Sequence, residues 1–198
     1  LSFTRLTVLL VLIASYLNAV ATFGNMEGRR VLWGIQSKEA FLASPIALYP
    51  FPPFSAYEFL NEHAPQGSGV LIIGEARSSY LKRPFISASV YDVQPIVSFA
   101  RNSTDGENLY QTLSKKKIEF IVVNAMEAGR IRYHDMFRWD DAGFKVFCEF
   151  WGSHVELIHH RVSISDGAVL FVYKIVEGTD HPADIPVAIT KGRDPSDP

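Results

Sequence analysis

The sequence predicts an α/β protein tethered to a membrane, and three observations carry the prediction. From Leu6 to Phe23 (LTVLLVLIASYLNAVATF) the chain carries no charge, with Arg5 before it and Glu27, Arg29 and Arg30 after it. Two apolar runs, Gly69–Gly74 and Ile118–Asn124, each follow a helix-forming stretch, as parallel strands joined by crossovers do. Two further strand-like runs, Val155–Val162 and Ala168–Val176, flank a turn-rich stretch and read as an antiparallel hairpin.

In chain order, the first element is a transmembrane helix over residues 5–24. A helix rises about 1.5 Å per residue, so roughly 20 apolar residues cross a hydrocarbon core, and this run just reaches that. The small-residue pattern Ala19-Val20-Ala21 also fits a cleavable signal peptide, although the apolar run is longer than an ordinary signal core. One Arg before the span and two after it leave orientation unread. Residues 25–54 are a connector, ending in Tyr49-Pro50-Phe51-Pro52-Pro53-Phe54, where prolines forbid a regular helix. The α/β domain occupies 55–178. It opens with a helix from Ser55 to Pro65, on a capping box of Ser55 and Glu58. Strand Val70–Gly74 follows, then a loop and short helix over 75–81, a strand over 85–90 and a short helix near Gln94–Ala100.

A second capping box at Thr104-Asp105-Gly106-Glu107 leads into a helix ending at Lys115-Lys116-Lys117, then strand Ile118–Asn124. Residues 125–138 and 140–151 read as helices, the latter with Phe144, Phe147 and Trp151 on one side, before the hairpin. The whole is a small Rossmann-like parallel sheet with flanking helices and a C-terminal hairpin. A tail over 179–198 is expected to be partly disordered, from about Lys191 onward.

With 47% hydrophobic and 20% charged residues, the composition suits one globular core. A net charge of −2 with no basic patch beyond the lysine triplet argues against nucleic acid. The single Cys148 cannot form an internal disulfide, and in FKVFCEFW it reads as a buried, inert thiol. His154, His159 and His160 are close in sequence, but strand neighbours point to opposite faces and do not converge on one ion, so no metal is expected. There is no GxSxG, P-loop or GxGxxG pattern, and no cofactor is expected.

One place joins fold and chemistry. Glu75 and Arg77 follow the carboxyl end of a buried strand, where open α/β sheets bind ligands, and they form a candidate substrate-binding pair. A bracing ion pair is the plainer reading of the same residues. Asn124, at the next strand end, suits a cap for the following helix with Glu127 three residues on. Asn102-Ser103-Thr104 is formally a glycosylation sequon.

Three stretches, Tyr-Glu-Phe-Leu-Asn-Glu-His-Ala-Pro (57–65), Val-Leu-Ile-Ile-Gly-Glu-Ala-Arg-Ser-Ser-Tyr-Leu-Lys-Arg-Pro (70–84) and Leu-Ser-Lys-Lys-Lys-Ile-Glu-Phe-Ile-Val-Val-Asn (113–124), carry a resemblance. Together they resemble the C-terminal soluble domain of bacterial GT-C-type membrane glycosyltransferases, relatives of the protein mannosyltransferase and aminoarabinose transferase group, over roughly residues 5–176. The resemblance implies a sugar donor carried on polyprenyl phosphate and an α/β domain on the extracytoplasmic side of the inner or plasma membrane. In that family the catalytic carboxylate lies in the first extracytoplasmic loop, to which nothing here corresponds, so no catalytic residue carries over. The expectation is the last span and C-terminal domain of such an enzyme, inactive alone and meeting donor only through an N-terminal portion. Leu at position 1 is read the same way. An anchored or secreted binding module without transferase activity is the alternative.

Overall fold

A computed structural model of the chain describes residues 3–25, 28–44, 51–89, 91–131, 136–162 and 169–190. α1 (Phe3–Asn25) is a single helix. Its segment Arg5–Thr22 has a mean hydropathy of 1.7 and no buried side chain, and it is the only helix among the described residues long and apolar enough to cross a membrane. The connector is not featureless, since it folds into α2 (Arg29–Leu32) and α3 (Lys38–Leu42).

The remaining elements are α4 (Phe54–His63), β1 (Gly69–Ile73), β2 (Phe85–Ile86), α5 (Pro95–Arg101), α6 (Gly106–Lys115), β3 (Ile118–Asn124), α7 (Ala125–Ile131), α8 (Asp141–His154), β4 (Val155–Val162) and β5 (Val169–Ile175). The strands form one mixed sheet in the order β2-β1-β3-β5-β4. β1 runs parallel to both β2 and β3, whereas β5 is antiparallel to β3 and to β4. The fold is therefore mixed α/β, with β1 and β3 adjacent and parallel and the hairpin joined to the sheet through β5.

The central strands are apolar over Val70–Ile73 and Phe120–Val123 because both sheet faces are covered. Leu71, Ile73, Ile121 and Val123 point into a core shared with α5, α6 and α8, while Val70, Ile72, Phe120 and Val122 meet Ala56, Tyr57 and Leu60 of α4 on the opposite face. A register shift after Gly69 inserts one extra residue of β3, so Glu119 stays exposed and its carboxylate accepts from the Ser68 hydroxyl at 2.9 Å. On the helix-rich face the rings of Trp139, Phe147, Trp151 and Tyr173 follow one another at centroid spacings of 4.8, 5.2 and 4.9 Å. Burial pushes the Tyr173 phenol well above its ordinary value. Gly106 lets α6 start against α8, since a Cβ there would sit 2.5 Å from the Phe150 amide nitrogen.

Several local expectations are corrected. The chain turns helical at Pro53, so Ser55 lies inside the first turn of α4, forms no cap, and keeps a buried hydroxyl without a partner. At α6 the cap is Asp105 rather than Thr104, accepting from the Asn108 amide at 2.8 Å, and Glu107 instead takes a hydrogen bond from Gln111 at 2.8 Å. No helix forms over 75–81, where a turn closes from the Leu81 amide to the Ser78 carbonyl at 3.0 Å. The strand expected over 85–90 is cut to Phe85–Ile86, an edge with only Val70 and Leu71 opposite it. α7 is described over Ala125–Ile131, residues 136–138 are not helical although the expected helix reaches 138, and residues 132–135 lie outside the described set. Past Gly178 the chain still packs: the Ala183 amide donates to the Val155 carbonyl at 2.9 Å, and Ile189 is fully buried. The expected hairpin turn over 163–167 and the disorder expected from Lys191 fall outside the described residues.

Val122 is fully buried in β3, between β1 and β5. An unpaired charge there costs several kcal/mol against a domain stability of about 5–15 kcal/mol, so Val122→Asp abolishes the cooperative thermal transition followed by circular dichroism. A variant that melted like wild type would remove β3 from the centre of the sheet.

Candidate functional site

At the carboxyl end of β1 the chain must turn sharply, and Gly74 does this with φ +74°. Its backbone also passes so close to α7 that a Cβ would lie 2.5 Å from the Ala128 Cβ. The Gly74 amide donates to the Gln94 side-chain carbonyl at 3.1 Å. This turn aims Glu75 inward, and its side chain is 1% exposed.

The Glu75 carboxylate is saturated by the chain itself. Oε1 accepts from the Arg77 amide at 2.9 Å and from Arg77 Nε at 2.5 Å, while Oε2 accepts from Arg77 Nη2 at 2.6 Å and from Asn124 Nδ2 at 3.0 Å. The guanidinium pairing is bidentate, the strong form of this contact. Arg77 Nη2 and Asn124 Nδ2 both also donate to the Phe51 carbonyl, at 3.3 and 2.9 Å. From α4, the Tyr57 hydroxyl donates to the Arg77 carbonyl at 2.7 Å. Asn124 Oδ1 accepts from the Glu127 amide at 3.3 Å, which is the expected cap of α7. Glu127 in turn forms a bidentate pair with Arg130. That hydrogen bonding, with the charges of Glu127 and Glu75, raises Arg130 above the usual guanidinium value.

Thus Glu75 and Arg77 pair with each other, and Asn124, read from the sequence only as a helix cap, joins them. The structure adds Gln94, Tyr57 and the Phe51 carbonyl, which no local pattern points to because they lie far along the chain. The contacts give Glu75 and Arg77 the geometry of a brace, with every carboxylate lone-pair direction occupied.

The histidines do not assemble. His154 ends α8, its Nδ1 3.1 Å from the Val176 carbonyl and its Nε2 3.3 Å from Glu107, with the Tyr110 ring stacked at 4.5 Å. It borders a groove of about 450 Å³ whose acidic rim includes Asp105, Glu149 and Glu177. His159 instead stacks on Phe59 at 4.2 Å, and Phe59 stacks on His63 at 4.5 Å. Among the described residues no group of three His, Cys, Asp or Glu side chains is placed to hold a metal ion. Cys148 is half-buried, and burial, with the nearby Glu149 charge, pushes its thiol up and away from the reactive thiolate. No protein-family model, curated protein or solved structure matches the chain.

Removing one partner of a buried ion pair costs about 3–5 kcal/mol, reduced here because water reaches the exposed third of Arg77. Arg77→Ala accordingly lowers stability by about 2–3 kcal/mol in urea unfolding. Adding Glu75→Ala costs less than the sum of the two single changes. Strict additivity would show that the pair does not act as a unit.

Burial holds His159 below the ordinary imidazole value, with the charges of His160 and His63 adding to the effect. The unfolded chain therefore takes up this proton first on acidification, and stability falls as pH drops through about 6.5 and levels off below the depressed folded value. His159→Phe keeps a ring on Phe59 and flattens that dependence. Melting temperatures of both proteins at about pH 7.5 and 5.5 check it.

Proposed function

We propose that the chain is the membrane-tethered C-terminal portion of a glycosyltransferase that moves a sugar from a polyprenyl-phosphate donor, with the α/β domain on the extracytoplasmic side of the inner or plasma membrane. One observation carries the reading: a membrane-length helix with no buried side chain leads into an α/β domain whose strand-end acid and base are consumed by each other. Such a domain shapes or covers a site elsewhere and does not perform the chemistry. The stretches that resemble the GT-C family support the reading, because they fold into α4, β1 with its turn, and the end of α6 with β3, and α4, β1 and β3 share one core. The parallel arrangement β2-β1-β3, with α5 and α6 between β1 and β3, supports a Rossmann-like description of that half of the sheet.

Two measurements test it. The reading frame upstream of Leu1 should encode several further apolar spans and an early loop bearing Asp or Glu, and a start codon with nothing before it would sink the proposal. Membranes carrying the whole reading frame should transfer sugar from a polyprenyl-phosphate donor, whereas residues 1–198 alone transfer none. Arg77→Ala in the whole protein should leave transfer per folded molecule unchanged, as a brace requires. Loss of transfer with folding intact would make Arg77 a ligand-contacting residue.

A further inference from the structure

Beyond α1 the chain folds at once into a tight pair of helical turns. After α2 the backbone reverses at Gly34, with φ +68°, and the amides of Ile35 and Gln36 both donate to the Arg30 carbonyl at 2.8 and 3.1 Å. Ser37 caps α3 by accepting from the Ala40 amide at 3.0 Å. The two turns close on each other at Gly28, where a Cβ would stand 3.7 Å from the Phe41 ring, and Val31 and Phe41 are half-buried.

This small fold leaves three large apolar groups outside. Leu32, Trp33 and Ile35 are 70%, 65% and 61% exposed, and the neighbouring Arg29 and Arg30 side chains are exposed as well. A single exposed apolar residue is ordinary, but three within four positions form a patch that water does not favour. Position identifies the occupant. The candidate span ends at Thr22 and its helix at Asn25, and the next described helix, α2, begins at Arg29 and carries the chain into the patch. Tryptophan is the residue that settles at headgroup depth, and arginine beside it pairs with lipid phosphate.

We propose that Arg29–Ile35 lies in the interface of the phospholipid bilayer crossed by α1, with Leu32, Trp33 and Ile35 at the acyl boundary and Arg29 and Arg30 on lipid phosphates. The proposal rests on α1 as a membrane span and is independent of the transferase reading. It makes the connector a second membrane contact instead of a free tether.

Trp33 is a built-in probe, because Trp139 and Trp151 are only 7% and 0% exposed in the core. The full chain is reconstituted into phosphatidylcholine and phosphatidylglycerol vesicles, with or without bromine on the acyl chains near the headgroup, and floated on a density gradient. The emission that distinguishes wild type from Trp33→Phe should be lost in brominated vesicles and should resist iodide in unbrominated ones. Leu32→Ser combined with Ile35→Ser should restore that emission in brominated vesicles while the domain's melting temperature stays fixed. A chain that floats but whose Trp33 is quenched by iodide and not by bromine overturns the proposal while leaving the span intact. A Trp33 shielded from both quenchers faces protein and overturns it too. A chain that fails to float removes the span and this inference together.

Discussion

A buried carboxylate tolerates no empty lone pair, and the Glu75 side chain, sealed from water at the end of β1, imposes that condition on everything around it. Its donors come from the turn that follows it and from Asn124 at the end of β3. Arg77 and Asn124 then share the Phe51 carbonyl, which draws in the last residues of the connector. One charge thereby fixes the lateral relation of two adjacent strands, the path of the chain entering the domain and, through Tyr57, the seat of α4. Loss of any donor exposes the rest to the cost of a half-satisfied network.

That knot governs how the chain enters the domain. Phe51 is held at the carboxyl ends of β1 and β3, the two central parallel strands, and Pro52 and Pro53 are buried beside it before α4 begins. The entering chain therefore joins the middle of the sheet and not a fraying edge. Prolines suit this passage because they give up no amide that the surroundings would have to satisfy. The exposed apolar turn at Leu32, Trp33 and Ile35 lies in the stretch of chain between α1 and this pinned entry.

What the sequence made legible follows from locality. β1 and β3 stand out because both sheet faces cover them, leaving the apolar runs Val70–Ile73 and Phe120–Val123, and Asn124 reads as a cap because its partner Glu127 is three residues away. Ser55 and Glu58 gave an equally clean local signal and misled, because the helix already starts at Phe54 and places Ser55 inside its first turn. Phe85 to Val90 has strand-like composition, yet only Phe85 and Ile86 find partners on β1. α2 and α3 are too short for periodicity to show. The Glu75 and Arg77 pairing was visible as a pair, but not its saturation, since Asn124 lies 49 residues away and Phe51 lies 26 before Arg77.

The layout of the sheet explains why the strand ends do not form an open site. In open α/β sheets a crevice appears where successive crossovers leave on opposite faces, and ligands enter it from outside the carboxyl ends. Here α5 and α6, which follow β1, and α8, which follows β3, all pack on one face, and the opposite face is covered by α4, which precedes β1. Beyond β3 the sheet continues through an antiparallel strand, so Asn124 faces the start of β5, Leu170, and not a further strand end. At these strand ends the connector, the turn after β1 and Asn124 close around the Glu75 carboxylate, which fills the ground where a ligand would sit with the chain's own anion.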